Sequence, residues 1–253
     1  MKKKPELPER NFKLTLEYDG AAFFGFQRQP GKRTIQSELE KALSKLFNRR
    51  TKIKAASGRT DTGVHAVHQV VHIGVVTALP VRRIQAGLNY YLPQEAAVRE
   101  VSEVPSDFHA RFSAKSKVYE YRIWNDPVRS PLRARHFLHV PRPLDIAAMK
   151  AAAKIFVGKH DFSGFCSTNS AVRNPVRRIS RFTVVKRGSE IILRVRADGF
   201  LYHMVRNLAG ALIESGYGRL KPEDLKKFLA ARSRKNAFFS APAHGLSLVS
   251  VTY

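Results

Sequence analysis

The chain has 253 residues, of which 43% are hydrophobic, enough for one large or two small packed domains. Its 45 Lys and Arg outnumber its 20 Asp and Glu, and the formal net charge of +25 favours a polyanionic partner, first of all nucleic acid. No apolar run reaches the length of a membrane span, and the basic start MKKKPELPER is not followed by the apolar stretch of a signal peptide, so we expect no membrane association.

The sequence contains one cysteine, Cys166, which rules out an internal disulfide. A lone thiol with no evident base near it is typical of a small buried hydrophobic residue. A chain without disulfides is consistent with a reducing compartment, and we expect a cytoplasmic protein.

In the first half of the chain the predicted elements follow the order β-α-β-β-α-β. Alternating β-branched residues predict a strand over 12–18, and helical spacing behind Thr34 as N-cap predicts a helix over 34–48. The remaining predicted elements are a short strand near 51–56, a strand over 68–76, a helix over 81–92 that Pro93 stops, and a strand over 96–104.

The second half repeats this order. Its predicted elements are a strand over 117–125, a helix over 144–156, a hairpin of strands 178–187 and 189–198 around Gly188, a helix over 201–215, an additional helix from Pro222 and a strand over 245–253. Two such halves predict an α+β fold of two tandem, RNA-recognition-like halves with mainly antiparallel sheets. We expect the two sheets to join into one extended sheet with a central cleft suited to RNA.

The predicted domain organisation follows from these halves. Residues 1–10 form a basic N-terminal tail, residues 11–110 an N-terminal α+β domain, and residues 111–253 a C-terminal α+β domain. The N-terminal domain carries the loop that holds the candidate catalytic residue.

Positive charge is concentrated in two runs. Residues 171–187 carry six Lys or Arg and no acid, and residues 111–135 carry seven against Glu120 and Asp126. Such runs are often solvated surface, and a charge-rich thermophile surface or an acidic membrane would also account for the net charge. Interleaved aromatic residues nevertheless favour phosphate contacts combined with base stacking. The candidate RNA-binding residues of the first run are Arg173, Arg177 and Arg178.

Several common chemical motifs are absent from the sequence. It has no Walker loop, no G-x-G-x-x-G after a strand and no G-x-S-x-G elbow, so we expect neither a nucleotide cofactor nor acyl transfer. His65, His68 and His72 have metal-ligand spacing for a helix, but their segment is β-branched and predicts a strand. We therefore expect no metal site.

The stretch ASGRTDTGVHA (56–66) places Asp61 in a glycine-flanked loop of a basic chain. One interpretation is a turn residue whose carboxylate bonds nearby backbone N–H groups. The other is a catalytic carboxylate, which the unusual length of the loop and the neighbouring Arg59 favour. The local sequence leaves both open.

Five stretches resemble the tRNA pseudouridine synthase A family, in that family's order and across both halves of the chain. They are EYDGAAFFGFQRQ (17–29), GRTDTGVHA (58–66), DFHARFSAKSKVYEYRI (107–123), FLYHMVRNLAG (200–210) and HGLSLVSVTY (244–253). The chain departs from the family's common pattern at Thr62, where Ala is usual, and at Phe26, where Trp is frequent. Neither side chain carries out chemistry.

The resemblance implies isomerisation of uridine to pseudouridine in the anticodon stem-loop of tRNA, at positions 38–40. It also implies that no cofactor is used, and that the enzyme is a homodimer with tRNA lying across both subunits. Because a paired uridine hides its glycosidic bond, the nucleotide has to be extruded at a cost of a few kcal/mol.

The resemblance also implies residue roles. Asp61 matches the catalytic carboxylate, acting as nucleophile toward the sugar or as a base that removes a ribose proton. Arg59 matches the residue that helps to flip the base, and Arg206 the guanidinium that keeps the carboxylate ionised. Tyr119 matches the aromatic residue that stacks on uracil, and Leu246 lines the uracil pocket.

The stretch 17–29 is similar to an RNA-facing loop of the family, in which Gln27 and Arg28 contact the stem. Its phenylalanines could equally belong to the core. Two functional alternatives remain: a non-catalytic RNA-binding protein, and a sister synthase that acts on other uridines.

Overall fold

The structure, a computed structural model, describes residues 8–166, 174–231 and 239–253. Most of the predicted N-terminal tail and the candidate residue Arg173 lie outside these residues. The chain divides into two structural units, one formed by the residues up to Ala114 with Ser250–Tyr253, the other by Lys115–Val249. The boundary predicted from sequence lies after residue 110.

The first unit has the element order β1-α1-β2-β3-α2-β4. The bounds are β1 (Glu9–Tyr18), α1 (Ile35–Leu46), β2 (Ala55–Ala56), β3 (His65–Val76), α2 (Val81–Tyr91) and β4 (Ala96–Val104). Strand β1 pairs antiparallel with both β3 and β4, and β2 pairs antiparallel with β3. Alternate residues of β1, Phe12, Leu14 and Leu16, are fully buried, as the predicted strand alternation requires.

Helix α1 begins where the sequence predicts. The Thr34 hydroxyl accepts the Ser37 N–H at 3.2 Å, and the Ser37 hydroxyl accepts the Thr34 N–H at 3.0 Å. This reciprocal cap satisfies backbone donors that the first helical turn leaves unpaired. Leu39 and Leu43, one turn apart, are fully buried and form the core face of the helix.

The second unit contains six strands and three helices among its described residues. The bounds are β5 (Ser116–Trp124), β6 (Leu138–His139), α3 (Ile146–Ile155), β7 (Gly158–Asp161), β8 (Val176–Arg187), β9 (Glu190–Ala197), α4 (Met204–Gly216), α5 (Pro222–Ala231) and β10 (Leu246–Thr252), whose last residues belong to the first unit. The strand order is β10-β5-β9-β8-β7, and β6 pairs parallel with β5. The α+β class and the mostly antiparallel pairing are confirmed, whereas the tandem halves and the central cleft stay predictions.

Four elements differ clearly from the sequence prediction. Strands β6 and β7 were not predicted, because they are short and form by pairing with β5 and β8 rather than by alternation of their own. Helix α4 starts at Met204 instead of residue 201, since His203 has a left-handed backbone with φ of 60° and cannot continue a helix. The strand expected near 51–56 is reduced to two residues.

Among the helices in the described parts of the chain, none combines the length and apolar character needed to cross a bilayer. The longest of them, α4, has 13 residues and packs against α3. Gly210 of this helix packs directly against the backbone of residue 239. A Cβ at position 210 would lie 1.7 Å from the carbonyl oxygen of Phe239.

We expect Gly210→Ala to lower the free energy of unfolding by about 1–3 kcal/mol, because the backbone of residue 239 would have to move. The matched control is Gly87→Ala in α2, where the new methyl group meets the mobile end of the Leu46 side chain at 2.5 Å. There the higher helix propensity of Ala offsets the contact. Urea denaturation measures both variants, and equal free energies of unfolding would contradict the prediction.

Candidate active site

Asp61 lies in the connection between β2 and β3 and is half-buried. Its backbone carbonyl accepts the Val64 N–H at 3.1 Å, which closes a turn. The turn passes through Gly63, whose φ of 79° is in the left-handed region that glycine tolerates without strain. The residues after Asp61 are therefore fixed by the backbone itself.

The segment that follows β1 supports this loop through close backbone contact. The Phe26 N–H donates to the Thr60 carbonyl at 3.0 Å. A Cβ on Gly25 would lie 2.9 Å from the same oxygen and 3.2 Å from the carbonyl carbon of Asp61. A Cβ on Gly20 would lie 2.0 Å from the Val64 carbonyl oxygen. Only glycine allows the two segments to approach this closely.

Buried polar side chains hold the residues before Asp61. The Tyr18 hydroxyl and the Thr60 hydroxyl are 2.8 Å apart, the Gln69 amide donates to the Gly58 carbonyl at 3.0 Å, and the Ser57 hydroxyl donates to the Gln69 oxygen at 2.6 Å. Burial raises the pKa of Tyr18 to about 12, against the effect of its hydrogen bonds to Thr60 and Gln69, so the phenol stays protonated.

Sequence reasoning missed Tyr18 and Gln69. Tyr18 continues the buried face of β1 after Leu14 and Leu16, and Gln69 shares a face of β3 with buried Val71; the two side chains are 3% and 0% exposed. A polar side chain on a buried strand face requires hydrogen-bond partners. A tyrosine and a glutamine at such positions were therefore the signal that the sequence offered.

The remaining candidates of the first unit differ in their surroundings. Arg59 and Gln27 are exposed. The Arg28 guanidinium is 2.5 Å from a carboxylate oxygen of Glu40, whose side chain is 4% exposed. Arg28 is thus tied to helix α1, and its contact with RNA stays a prediction.

The phenylalanines of the stretch 17–29 fall into two classes. Phe23 and Phe26 are buried core residues, with 2% and 1% exposure. Phe24 is 45% exposed, and the Lys32 ammonium lies 4.5 Å from its ring centroid.

His65 and His72 have structural partners. The Nδ1 atom of His65 is 3.1 Å from the Gly20 nitrogen and 3.0 Å from a carboxylate oxygen of Asp19. His72 accepts the Ala110 N–H, and burial with nearby positive groups lowers its pKa. No group of three metal-ligating side chains occurs within residues 8–166, 174–231 and 239–253.

In the second unit, Tyr119 and Tyr121 lie on the same face of β5, as alternation predicts. Tyr119 is 8% exposed and meets Phe200 edge-to-face, with 5.1 Å between ring centroids. Tyr121 is fully buried, and its hydroxyl donates to the Pro242 carbonyl at 2.8 Å. Both tyrosines are buried, and Tyr121 is the more deeply buried of the two.

Arg206 lies in the first turn of α4 and is half-buried. Its Nε–H donates to the Ala241 carbonyl at 2.7 Å, and the Ala241 N–H donates back to the Arg206 carbonyl at 3.1 Å. Burial raises the pKa of Tyr121, and the nearby positive charge of Arg206 opposes this shift. Leu246 is buried at the start of β10, directly after Gly245, whose Cβ would lie 2.7 Å from the Tyr121 ring.

Arg177 and Arg178 line a basic groove of about 420 Å³ in the second unit. Arg177 donates to the carbonyls of Asn174 and Val176 at 2.8 and 2.7 Å, which fixes its guanidinium at the wall. The groove is lined by Lys159, Asn174, Val176, Arg177, Arg178 and Asp198. Two guanidinium groups and one ammonium group against one carboxylate favour an anion there.

The opposite face of β5 carries a buried ion cluster. Glu120 is 2% exposed, and its two carboxylate oxygens accept from Arg194 at 2.6 Å and from Arg122 at 2.8 Å. Burial alone would raise the pKa of Glu120, but the hydrogen bonds from the two guanidinium groups outweigh it and hold the pKa below its usual value of 4.5. This cluster ties β5 to β9.

Comparison with known proteins gives a family match that includes Asp61, Arg59, Arg206 and Leu246, whereas Tyr119 lies between its two matched ranges. Residues 15–113 and 152–253 match a family model described as tRNA pseudouridine synthase. A tRNA pseudouridine synthase A of Halalkalibacterium halodurans is 45% identical over 92% of this chain and 89% of its own length. Those of Methylacidiphilum infernorum and Bacillus licheniformis are 43% and 42% identical, over 96% and 95% of this chain and 95% and 98% of their own lengths.

Among solved structures, one titled as an H/ACA RNP bound to a substrate RNA containing 2′-deoxyuridine matches over 85% of this chain and 49% of that chain. The sequence identity is 13% and the TM-score is 0.37. At these values nothing further follows from the likeness.

We expect Glu120→Gln to destabilise the protein by about 1–2 kcal/mol at neutral pH, because it weakens three charged hydrogen bonds, one from Arg122 and two from Arg194. A depressed carboxylate pKa contributes stability above the usual value of 4.5, and this contribution is lost as the pH falls through the folded-state pKa. The stability difference between wild type and variant therefore shrinks on acidification. Urea denaturation across this pH range measures it.

The control is Glu214→Gln, which removes an exposed ion pair with Arg219. Exposed ion pairs contribute little to stability, so the free energy of unfolding of this variant should match that of the wild type within about 0.5 kcal/mol across the pH range. A stability difference for Glu120→Gln that did not change with pH would contradict the assignment.

Proposed function

The chain belongs to the tRNA pseudouridine synthase family, and from this we propose its target uridines, catalytic residue and assembly. Membership confirms the resemblance found in the sequence: the protein is an isomerase that converts uridine to pseudouridine in tRNA. The proposed targets are uridines 38–40 of the anticodon stem-loop, and the proposed assembly is a homodimer with tRNA lying across both subunits. Family membership also favours the enzyme over a non-catalytic RNA-binding protein.

We propose Asp61 as the catalytic carboxylate. The observation that carries the proposal is its place within the matched sequence, on a loop that backbone contacts and buried hydrogen bonds hold on both sides. Loops supported in this way present reactive groups with little freedom.

The reaction requires one bond exchange and no net change of atoms. The bond between N1 of uracil and C1′ of ribose breaks, the base turns, and a bond between C5 and C1′ forms while the C5 proton is lost and N1 gains one. An ionised carboxylate can attack the sugar or remove a ribose proton. An aspartate is ionised at neutral pH, as both roles require.

The proposed substrate-binding residues each carry a side chain suited to holding a flipped nucleotide. Arg59 is exposed two residues before Asp61, where a guanidinium can enter the RNA stem and hold the vacated place of the base. Tyr119 offers an aromatic ring for stacking on uracil, with Leu246 as an apolar pocket residue. Arg206 offers a fixed guanidinium, since its Nε–H is held by the Ala241 carbonyl.

The proposed RNA contacts outside the reacting nucleotide are Gln27, Arg28, Arg177 and Arg178, together with Arg173, which lies outside the described residues. The basic groove is the best supported of these surfaces, because its cationic side chains converge on one space. Contacts of this kind add affinity without reading the base sequence.

We expect Asp61→Asn to abolish turnover while tRNA binding is retained, because the amide cannot act as nucleophile or base but has nearly the same size. Release of tritium from tRNA labelled at C5 of uridine measures turnover, since the product carries carbon at that position. Filter binding measures the affinity for tRNA.

The matched control is Asp145→Asn, the same chemical change at the N-cap of α3, where Asn also caps well. Its tritium release should equal that of the wild type. Full turnover of Asp61→Asn would overturn the proposed mechanism, and pseudouridine mapped at positions other than 38–40 would favour the sister synthase.

We expect Arg177→Gln and Arg178→Gln to weaken tRNA binding and to reduce the slope of log K against log salt by about one each, since each removes one phosphate contact. Arg219→Gln, in the same unit but paired with Glu214, is the control and should leave the slope unchanged. Titrations at several salt concentrations measure the slopes. Unchanged slopes for both groove variants would remove this surface from the proposed interface.

A further inference from the structure

We propose that Tyr18 and Gln69 are positioning residues that aim Asp61, an inference that rests on the proposed catalytic role of that carboxylate. Neither side chain belongs to the loop that carries Asp61. Both reach it from the neighbouring strands β1 and β3 and bond to the residues immediately before it. Their function is to fix the loop backbone against the sheet.

Gln69 connects β3 to the loop with all of its hydrogen-bonding capacity. Its amide oxygen accepts the Ser57 hydroxyl at 2.6 Å and the Val70 N–H at 3.1 Å. Its amide nitrogen donates to the Gly58 carbonyl at 3.0 Å and to the Tyr18 hydroxyl at 3.4 Å. Two lone pairs and two N–H groups are thus used in a fully buried side chain, which defines one orientation of the amide.

Tyr18 extends this connection to the residue next to Asp61. Its oxygen accepts from Gln69, which leaves its own proton available for the Thr60 hydroxyl at 2.8 Å. Because burial raises the pKa of Tyr18 to about 12, the phenol keeps this proton at neutral pH. Thr60 is also held through its carbonyl, which accepts from Phe26.

The arrangement limits movement of Asp61 from two directions. The buried side chains hold residues 57, 58 and 60, and Gly25 packs directly against the peptide of Asp61 on the other side. An apolar core would supply burial without fixing the register of the loop, whereas a saturated polar network fixes it. A displacement of about 1 Å at a reacting group can cost on the order of a hundredfold in rate.

The test is Tyr18→Phe, which keeps the ring and deletes only the hydroxyl. We expect kcat for tritium release to fall by about 10- to 100-fold, while KM for tRNA changes by less than about threefold. The loss is confined to kcat because the loop still forms but holds Asp61 less firmly. Melting temperature and kinetics are measured on the same preparation of the full chain.

The matched control is Tyr253→Phe, in the same structural unit. Its hydroxyl is also hydrogen-bonded within the protein, donating to the backbone carbonyl of Ala110 at 2.8 Å. Both variants should lose similar thermal stability, but Tyr253→Phe should keep the kcat of the wild type. If Tyr18→Phe keeps kcat within about twofold, or if both variants lose it equally, the positioning role is wrong.

A second pair of variants keeps the inference testable if Tyr18→Phe folds poorly. Thr60→Ser retains the hydroxyl and should keep most of kcat. Thr60→Val has the same shape without the hydroxyl, and its kcat should fall as in Tyr18→Phe. The double variant Tyr18→Phe with Thr60→Val should be no slower than the slower single variant, because both substitutions delete the same hydrogen bond between Tyr18 and Thr60. Additive losses, or equal activity of Thr60→Ser and Thr60→Val, would refute the inference.

These outcomes are separate from the test of the catalytic carboxylate. If Asp61→Asn is inactive and Tyr18→Phe is fully active, the proposed function stands and the positioning role fails. If Asp61→Asn is active, the proposed mechanism itself fails.

Discussion

Thr60 is bonded twice, through its carbonyl to the Phe26 N–H and through its hydroxyl to Tyr18, and the position of Asp61 depends on these two bonds. One comes from the segment after β1 and the other from β1 itself, so the first strand and its continuation enclose the loop. A carboxylate on an unsupported loop would spend much of its time out of line with its target. Buried hydrogen bonds are suited to this task because breaking any of them leaves an unsatisfied polar group without water. The core of the first unit therefore fixes the position of the loop that carries Asp61.

The distribution of charge follows a similar logic. A net charge of +25 attracts a polyanion to the protein, but by itself it does not determine where on the surface the polyanion binds. Part of the arginine is used in structure: Arg194 and Arg122 neutralise buried Glu120, and Arg28 neutralises buried Glu40. In the basic groove the cationic groups exceed the single carboxylate, so charge remains for a ligand. The net positive charge attracts a polyanion such as tRNA, and the placement of individual cationic side chains limits where its phosphates can bind.

The periodicity of the sequence was enough to predict the long helices and strands. It was not enough to predict elements that form only through contacts with residues distant in the sequence. The alternation of β1 and the cap at Thr34 are local signals, and the structure agrees with both. Strand β7 exists only through its pairing with β8, and the start of α4 is set by the left-handed backbone of His203, which no pattern announces. The loop with Asp61 was proposed as catalytic through its motif. Gln69 was missed because its bonds run to Ser57, Gly58 and Tyr18, and separations of 12, 11 and 51 residues leave no trace in a local window.

The stretch EYDGAAFFGFQRQ was expected to face RNA, and the structure gives most of it a second purpose. Gly20 and Gly25 are needed because a Cβ on either would meet the backbone around Asp61. Phe23 and Phe26 are buried and anchor the segment in the core, so that its backbone can support the loop. The exposed side chains of Phe24 and Gln27 remain open to a ligand. A segment that resembles a binding motif can thus have its sequence because it supports a neighbouring loop. Close backbone contact restricts the choice of residues as strictly as a role in chemistry does.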